Sequence, residues 1–255
     1  MIRSIEKTPL TLLHEEGRAY AVDSFAVLNP DLHDLNGETY SQAQAQEVLG
    51  DFMKAQANWM NRGSMLELNL EQALSNDAFD EINKQLLTKS STEAVSAFTG
   101  LVQQCARIAE SVGFDPKITS FNASVNYTEG RNNFGQHHTD GANIYPETES
   151  DVRWLRFFYT AEPGTVVLPG SSEIGTYVEG VGTLADGDEY SEINKINIPR
   201  LYKHSDDEEL QANAQQVMPG KLMVFDPTQS LWHYAPEERS RWIAIDAVQL
   251  NHGEE

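Results

Sequence analysis

The sequence predicts one α+β domain in which N-terminal helices brace a C-terminal β-sandwich or barrel. Three observations support this. Through residue 117, apolar residues recur at three- and four-residue spacing, the period of helices with one buried face. Beyond Pro116 the chain breaks into short runs rich in β-branched and aromatic residues, separated by Gly, Pro and Asp clusters. The 255 residues contain no repeat and no low-complexity linker, a length one core can serve.

The first expected helix covers residues 41–61, where Val48, Phe52, Ala55 and Trp59 form a stripe. A second covers 76–89. A third, over 91–112, carries Val95, Phe98, Leu101, Val102, Cys105 and Ile108 along one face, with Ser91 as its start and Gly113 as its stop. Cys105 lies on that stripe, the place of a buried structural thiol. Strands are expected at 118–127, 152–161, 165–168, 222–225 and 242–250. Residues 171–219 form a long, acidic insertion, the length and composition of a lid or binding segment. The whole chain, 1–255, is thus read as a mainly helical part (1–117) and a β core (118–250) of a single domain.

Eighteen Lys and Arg against 39 Asp and Glu give a formal charge of −21, the wrong sign for nucleic acid or an anionic membrane. No apolar run reaches the length of a membrane span, and the first residues lack a signal-peptide pattern, so a soluble, cytoplasmic protein is expected. One cysteine excludes an internal disulfide and any Cys-rich metal cage. A bound metal would have to rely on His and carboxylates.

Of seven histidines, His14, His33 and His252 are isolated. The run His137-His138-Thr139-Asp140 differs. On an extended segment, residues two apart share a side, so His138 and Asp140 present an imidazole and a carboxylate together. With a distant second histidine they would complete the set of two His and one carboxylate that holds non-haem Fe(II). His204 lies in a polar loop. His233 lies between the runs 222–225 and 242–250 and is preferred. His137, on the opposite side, is read as supporting the site or as a surface group, with substrate contact as the lesser alternative.

Such an iron centre needs an oxidisable cosubstrate, and a dicarboxylate such as 2-oxoglutarate needs a cation for its far end. Arg241 shares strand parity with Ile243, Ile245 and Ala247, which directs it inward; Arg239 lies nearer the Glu237-Glu238 turn and is read as a surface group.

Four segments in order carry a resemblance: Tyr127-Thr128-Glu129-Gly130 followed by His138-Thr139-Asp140-Gly141, the stretch from Gly164 through Pro169-Gly170-Ser171-Ser172, and Pro219-Gly220-Lys221 leading to Asp226, with His233 and Arg241 behind them. Over residues 118–250 the chain resembles the Fe(II)/2-oxoglutarate-dependent dioxygenase superfamily, in its phytanoyl-CoA-hydroxylase-like branch. The resemblance implies a double-stranded β-helix, jelly-roll and cupin-like. It implies iron on His138, Asp140 and His233, the distal carboxylate of 2-oxoglutarate on Arg241 with Tyr127 assisting, and O2 as co-reactant. It departs from the pattern at Ser172, where a His is common, and in the short spacing from His233 to Arg241. Asp140 keeps the carboxylate that halogenating members replace by a small residue, so hydroxylation is the expected outcome.

The expected substrate is a small polar metabolite, such as a free amino acid or derivative; no basic cluster suits a CoA thioester. Arg153 or Arg156, Trp154 and Trp232 are candidates to contact it, with Trp154 and Arg156 on one face of their strand and Arg153 on the other. Two other readings stand beside this one. The first is a halogenase or desaturase on the same scaffold. The second is a non-catalytic β-barrel that binds a metal or small acid. The oligomeric state is not legible.

Overall fold

The computed structural model describes residues 3–4, 25–34, 36–56, 66–86, 88–128, 137–138, 152–168, 202–203, 215–227, 232–234 and 238–250. They build helices against one of two six-stranded sheets. The first sheet orders its strands β2 (Phe25–Leu28), β10 (Leu222–Phe225), β6 (Val152–Thr160), β12 (Ser240–Leu250), β4 (Thr119–Thr128) and β3 (Leu66–Asn69), all antiparallel. The second orders β1 (Arg3–Ser4), β9 (Gln215–Gln216), β7 (Val166–Leu168), β11 (Trp232–Tyr234), β5 (His137–His138) and β8 (Tyr202–Lys203), antiparallel but for the β1–β9 pair.

Four helices are described: α1 (Gln42–Gln56), α2 (Leu70–Leu74), α3 (Ala78–Gln85) and α4 (Thr92–Ser111). Helix α4 begins where Ser91 accepts a hydrogen bond from the Ala94 N–H at 3.1 Å, and it stops at Gly113, whose φ of +90° suits glycine. Phe98 of α4 stacks on Phe52 of α1 at 4.3 Å between centroids. Cys105 is fully buried on α4, and burial pushes its thiol pKa up, which suits packing rather than nucleophilic chemistry.

Alternation along the strands gives the first sheet two unlike faces. Leu155, Phe157, Tyr159, Leu222, Val224, Ile243 and Ile245 join the helices in the main apolar core. The opposite parity faces the second sheet. There Met223 and Phe225 of β10 and Val27 of β2 share a smaller buried cluster with Val167 of β7 and Val217, with Phe158 packed against it.

Two findings refine the sequence reading. The mainly helical first part also supplies β1, β2 and β3, strands of two to four residues too short to show a period of their own. The insertion expected as a lid contributes β8 and β9 to the second sheet. The rest of it, residues 171–201 and 204–214, lies outside the described residues.

Candidate functional site

The site is best approached through one rung of the second sheet. Strand β11 pairs antiparallel with β5 on one side and β7 on the other. The register sets His233 directly opposite His138, and Val167 opposite His233 from the other side. Directly opposed residues are the closest cross-strand neighbours in an antiparallel ladder. Two histidines far apart in sequence therefore occupy one rung. His137 pairs with Lys203 and Trp232 with Leu168. Asp140 and His204 lie outside the described residues, and among the described residues no group of three metal-binding side chains is found.

One rung of the first sheet runs Phe225, Arg156, Asp246, Asn122. Arg156 donates from Nε to Asp246 Oδ1 at 2.6 Å and from Nη2 to Asp246 Oδ2 at 3.0 Å. Asp246 Oδ1 also accepts the indole N–H of Trp154 at 2.7 Å. The guanidinium lies 4.8 Å from the Trp154 ring centroid and 5.7 Å from that of Phe158. The side chains of Arg156 and Asp246 keep 19% and 20% of their exposure. Trp154 and Arg156 thus sit together on the face turned to the second sheet, as alternation predicts. Asp246 went unnoticed in the sequence, although it is the single charge within the apolar run Trp242–Val248, a pattern that marks a carboxylate with a partner.

Arg153 takes the other face. It donates to the Val112 carbonyl at 2.8 Å and to the Gly113 carbonyl at 2.5 Å, and its guanidinium rests 4.6 Å from the Phe114 ring centroid. It caps the C-terminus of α4, where a cation suits the helix dipole and the orphan carbonyls.

Arg241 keeps the parity of Ile243 and Ile245, and the core that those two residues enter is the one shared with the helices. Glu162 holds it twice: Oε1 accepts from Nη1 at 2.7 Å, and Oε2 accepts from the Arg241 backbone N–H at 2.7 Å. Tyr127, its register partner on β4, lies beneath both Arg241 and Arg239, with guanidinium-to-centroid distances of 5.4 and 4.9 Å. Thr160 donates to the Arg241 carbonyl at 2.8 Å and Ser240 to the Pro163 carbonyl at 2.8 Å, so the start of β12 is pinned to the turn after β6. Glu162 lies beyond its strand, where no periodicity could have flagged it.

No family model matches the chain, and no curated protein matches it. Among solved structures it is similar to EvdO2 from Micromonospora carbonacea var. aurantiaca, with 13% identity, 100% of this chain and 96% of that one covered, and a TM-score of 0.45. EvdO2 has also been solved in complex with 2-oxoglutarate. Further matches are AviO1 from Streptomyces viridochromogenes Tue57 (12% identity, 96% of each chain, TM-score 0.40) and the non-heme monooxygenase ThoJ (14% identity, 95% of this chain, 81% of that one, TM-score 0.39).

Proposed function

We propose that the chain is an Fe(II)- and 2-oxoglutarate-dependent oxygenase on a double-stranded β-helix, hydroxylating an unactivated C–H bond of a small polar metabolite. The observation that carries this reading is the shared rung of His138 and His233. Two imidazole-bearing residues brought from distant segments to one register position, with Asp140 two residues beyond the first, fit the donor set of two His and one carboxylate. No cysteine competes for the metal, since the single thiol is buried in the helical core.

When bound, the iron would supply O2 activation coupled to oxidation of 2-oxoglutarate, and the protein's contribution would be binding, orientation and exclusion of water. His138, Asp140 and His233 would hold the ion on the second sheet. Trp154 and Arg156 would form the substrate side, while His137 and Trp232 take the parity opposite to His138 and His233 in their strands. Arg241 with Tyr127 remains the sequence expectation for the distal carboxylate of 2-oxoglutarate; in that role the ligand would share the guanidinium with Glu162, which takes Nη1. The carboxylate at position 140 favours hydroxylation over chlorination, and product mass with chloride present separates the two outcomes.

Anaerobic addition of Fe(II) and 2-oxoglutarate to the purified protein is expected to produce a visible metal-to-ligand charge-transfer band. The band should vanish in His138→Ala and His233→Ala and persist in His204→Ala. Substrate-dependent release of succinate should follow when air is admitted. Absence of the band in the wild type, or its loss only in His204→Ala, would overturn the reading. A band without succinate from any metabolite tried would leave the non-catalytic binding protein.

A further inference from the structure

We propose that the face of the first sheet turned to the second seats an uncharged, hydroxyl-bearing small molecule, a polyol or sugar-like ring. The proposal rests on the functional reading above and names its substrate class. It starts from three successive register pairs of β4 and β12: Asn126 with Trp242, Ser124 with Ala244, and Asn122 with Asp246. Ala244 continues to Phe158 on β6, and Asp246 continues through Arg156 to Phe225. Both phenylalanines pack in the smaller cluster between the sheets, so the three pairs look toward the sheet that carries His138 and His233.

Asparagine is disfavoured in strands, yet two stand four residues apart on β4. Each donates one amide N–H to the serine two residues before it, Asn122 to Ser120 Oγ at 3.1 Å and Asn126 to Ser124 Oγ at 3.0 Å. That bond fixes the amide plane. It leaves the second N–H and the carbonyl oxygen of each amide without a partner among the described residues. The indole N–H of Trp242 also donates to none of them, whereas Asp246 accepts that of Trp154. Asn122, Asn126 and Trp242 are half-buried, so neutral donors and acceptors stand ready at fixed positions.

A zwitterion such as a free amino acid asks for a cation and an anion with charge to spare. On this face β4, β6 and β12 carry one of each, Arg156 and Asp246, and these neutralise one another through both carboxylate oxygens. Glu67, opposite Asn122 on the marginal strand β3, is exposed. A ligand whose polarity lies in hydroxyl groups meets the unpartnered amides and indole without needing a counter-charge. Size agrees with this. Ser124 and Ala244 are small, and they lie between the larger pairs at Asn126 and Asn122, which stand four residues, about 13 Å, apart along the strand. A shallow trough of that length takes a six-membered ring, with the Trp242 indole at one end as the apolar surface against which its C–H groups pack.

Titration of the full chain, followed by calorimetry and tryptophan fluorescence, tests the assignment. One probe set is myo-inositol, glucose and methyl glucoside; the other is a panel of free amino acids. Each is run with and without Mn(II) and 2-oxoglutarate. Saturable binding is expected from a member of the first set and from none of the second. Asn122→Leu and Asn126→Leu should each weaken it ~10-fold, the worth of about one hydrogen bond. Ser124→Leu, which fills the trough, should abolish it. Trp242→Phe, which keeps a ring and loses the N–H, should retain more affinity than Trp242→Ala. Asn126→Thr guards against a folding defect: a better strand former, it should melt no lower than the wild type and still bind more weakly. Binding of amino acids in place of polyols, no binding of any polyol, or affinity indifferent to all of these variants overturns the assignment. The charge-transfer band with Fe(II) and 2-oxoglutarate is read on the same protein. A band without polyol binding refutes this proposal alone, whereas polyol binding without a band refutes the oxygenase reading and leaves the seat between the sheets standing.

Discussion

Arg153 and Arg156 stand three residues apart on β6 and do opposite work. Alternation sends the first to the end of α4, where it closes the helix, and the second to the face between the sheets, where Asp246 holds it. Tyr159, on the same strand, takes the helix face and is fully buried, and among the described residues its hydroxyl finds no hydrogen-bond partner. Burial raises its pKa above the ordinary value of 10.0, because the core accepts the neutral phenol and not the phenolate. The group's contribution is therefore intact below that ordinary value and is lost as pH rises through the higher folded-state one. Tyr159→Phe removes an unsatisfied polar atom and the titration together. It should be more stable by ~1 kcal/mol at neutral pH, and thermal melts above pH 10 should fall less steeply than those of the wild type. A variant that melts lower at neutral pH would show that the hydroxyl has a partner. Much at this scale was legible: parity alone separated Arg153 from Arg156. Partners were not, because Asp246 and Glu162 meet their arginines across strand pairings that no single segment announces.

Among the elements, helix α4 was the most legible, from its Ser91 start to its Gly113 stop, since twenty residues of apolar stripe leave little ambiguity. Helix α1 is described to Gln56 within the expected 41–61, and the remainder of that span lies outside the described residues. Strands β2 and β3 were hidden by their length: Phe-Ala-Val-Leu and Leu-Glu-Leu-Asn become strands only because β10 and β4 offer them ladders. The turn between β6 and β7 shows why a small residue is needed at Gly164. A Cβ there would lie 2.5 Å from the Val217 carbonyl oxygen and 3.0 Å from a Thr160 methyl group. Gly164→Ala should cost ~1–3 kcal/mol through overpacking, measured as a lower urea midpoint with an unchanged slope. An unchanged midpoint would mean that the turn yields freely. The damage should reach the site, because the segment that follows pairs Val167 with His233.

At the scale of the molecule, the charge of −21 is read from composition alone, and no helix among the described residues is long and apolar enough to cross a membrane. The rung that joins His138 to His233 was legible only as a pair of motifs, since register between strands is settled by the fold as a whole. The division into a helical part and a β core is also less clean than composition suggests: both margins of the helix-backed sheet, β2 and β3, come from the helical part. Removing residues 1–117 should therefore do more than uncover apolar surface. It should leave β4 and β10 with bare margins, β4 being ten residues long with apolar side chains at alternate positions. Fragment 118–255 should precipitate or form oligomers on size exclusion where the full chain does not, and a monodisperse folded fragment would contradict this. An exposed strand of that kind is a template for other chains. Strands β2 and β3 thus act as guards against self-association, a duty independent of any chemistry between the sheets.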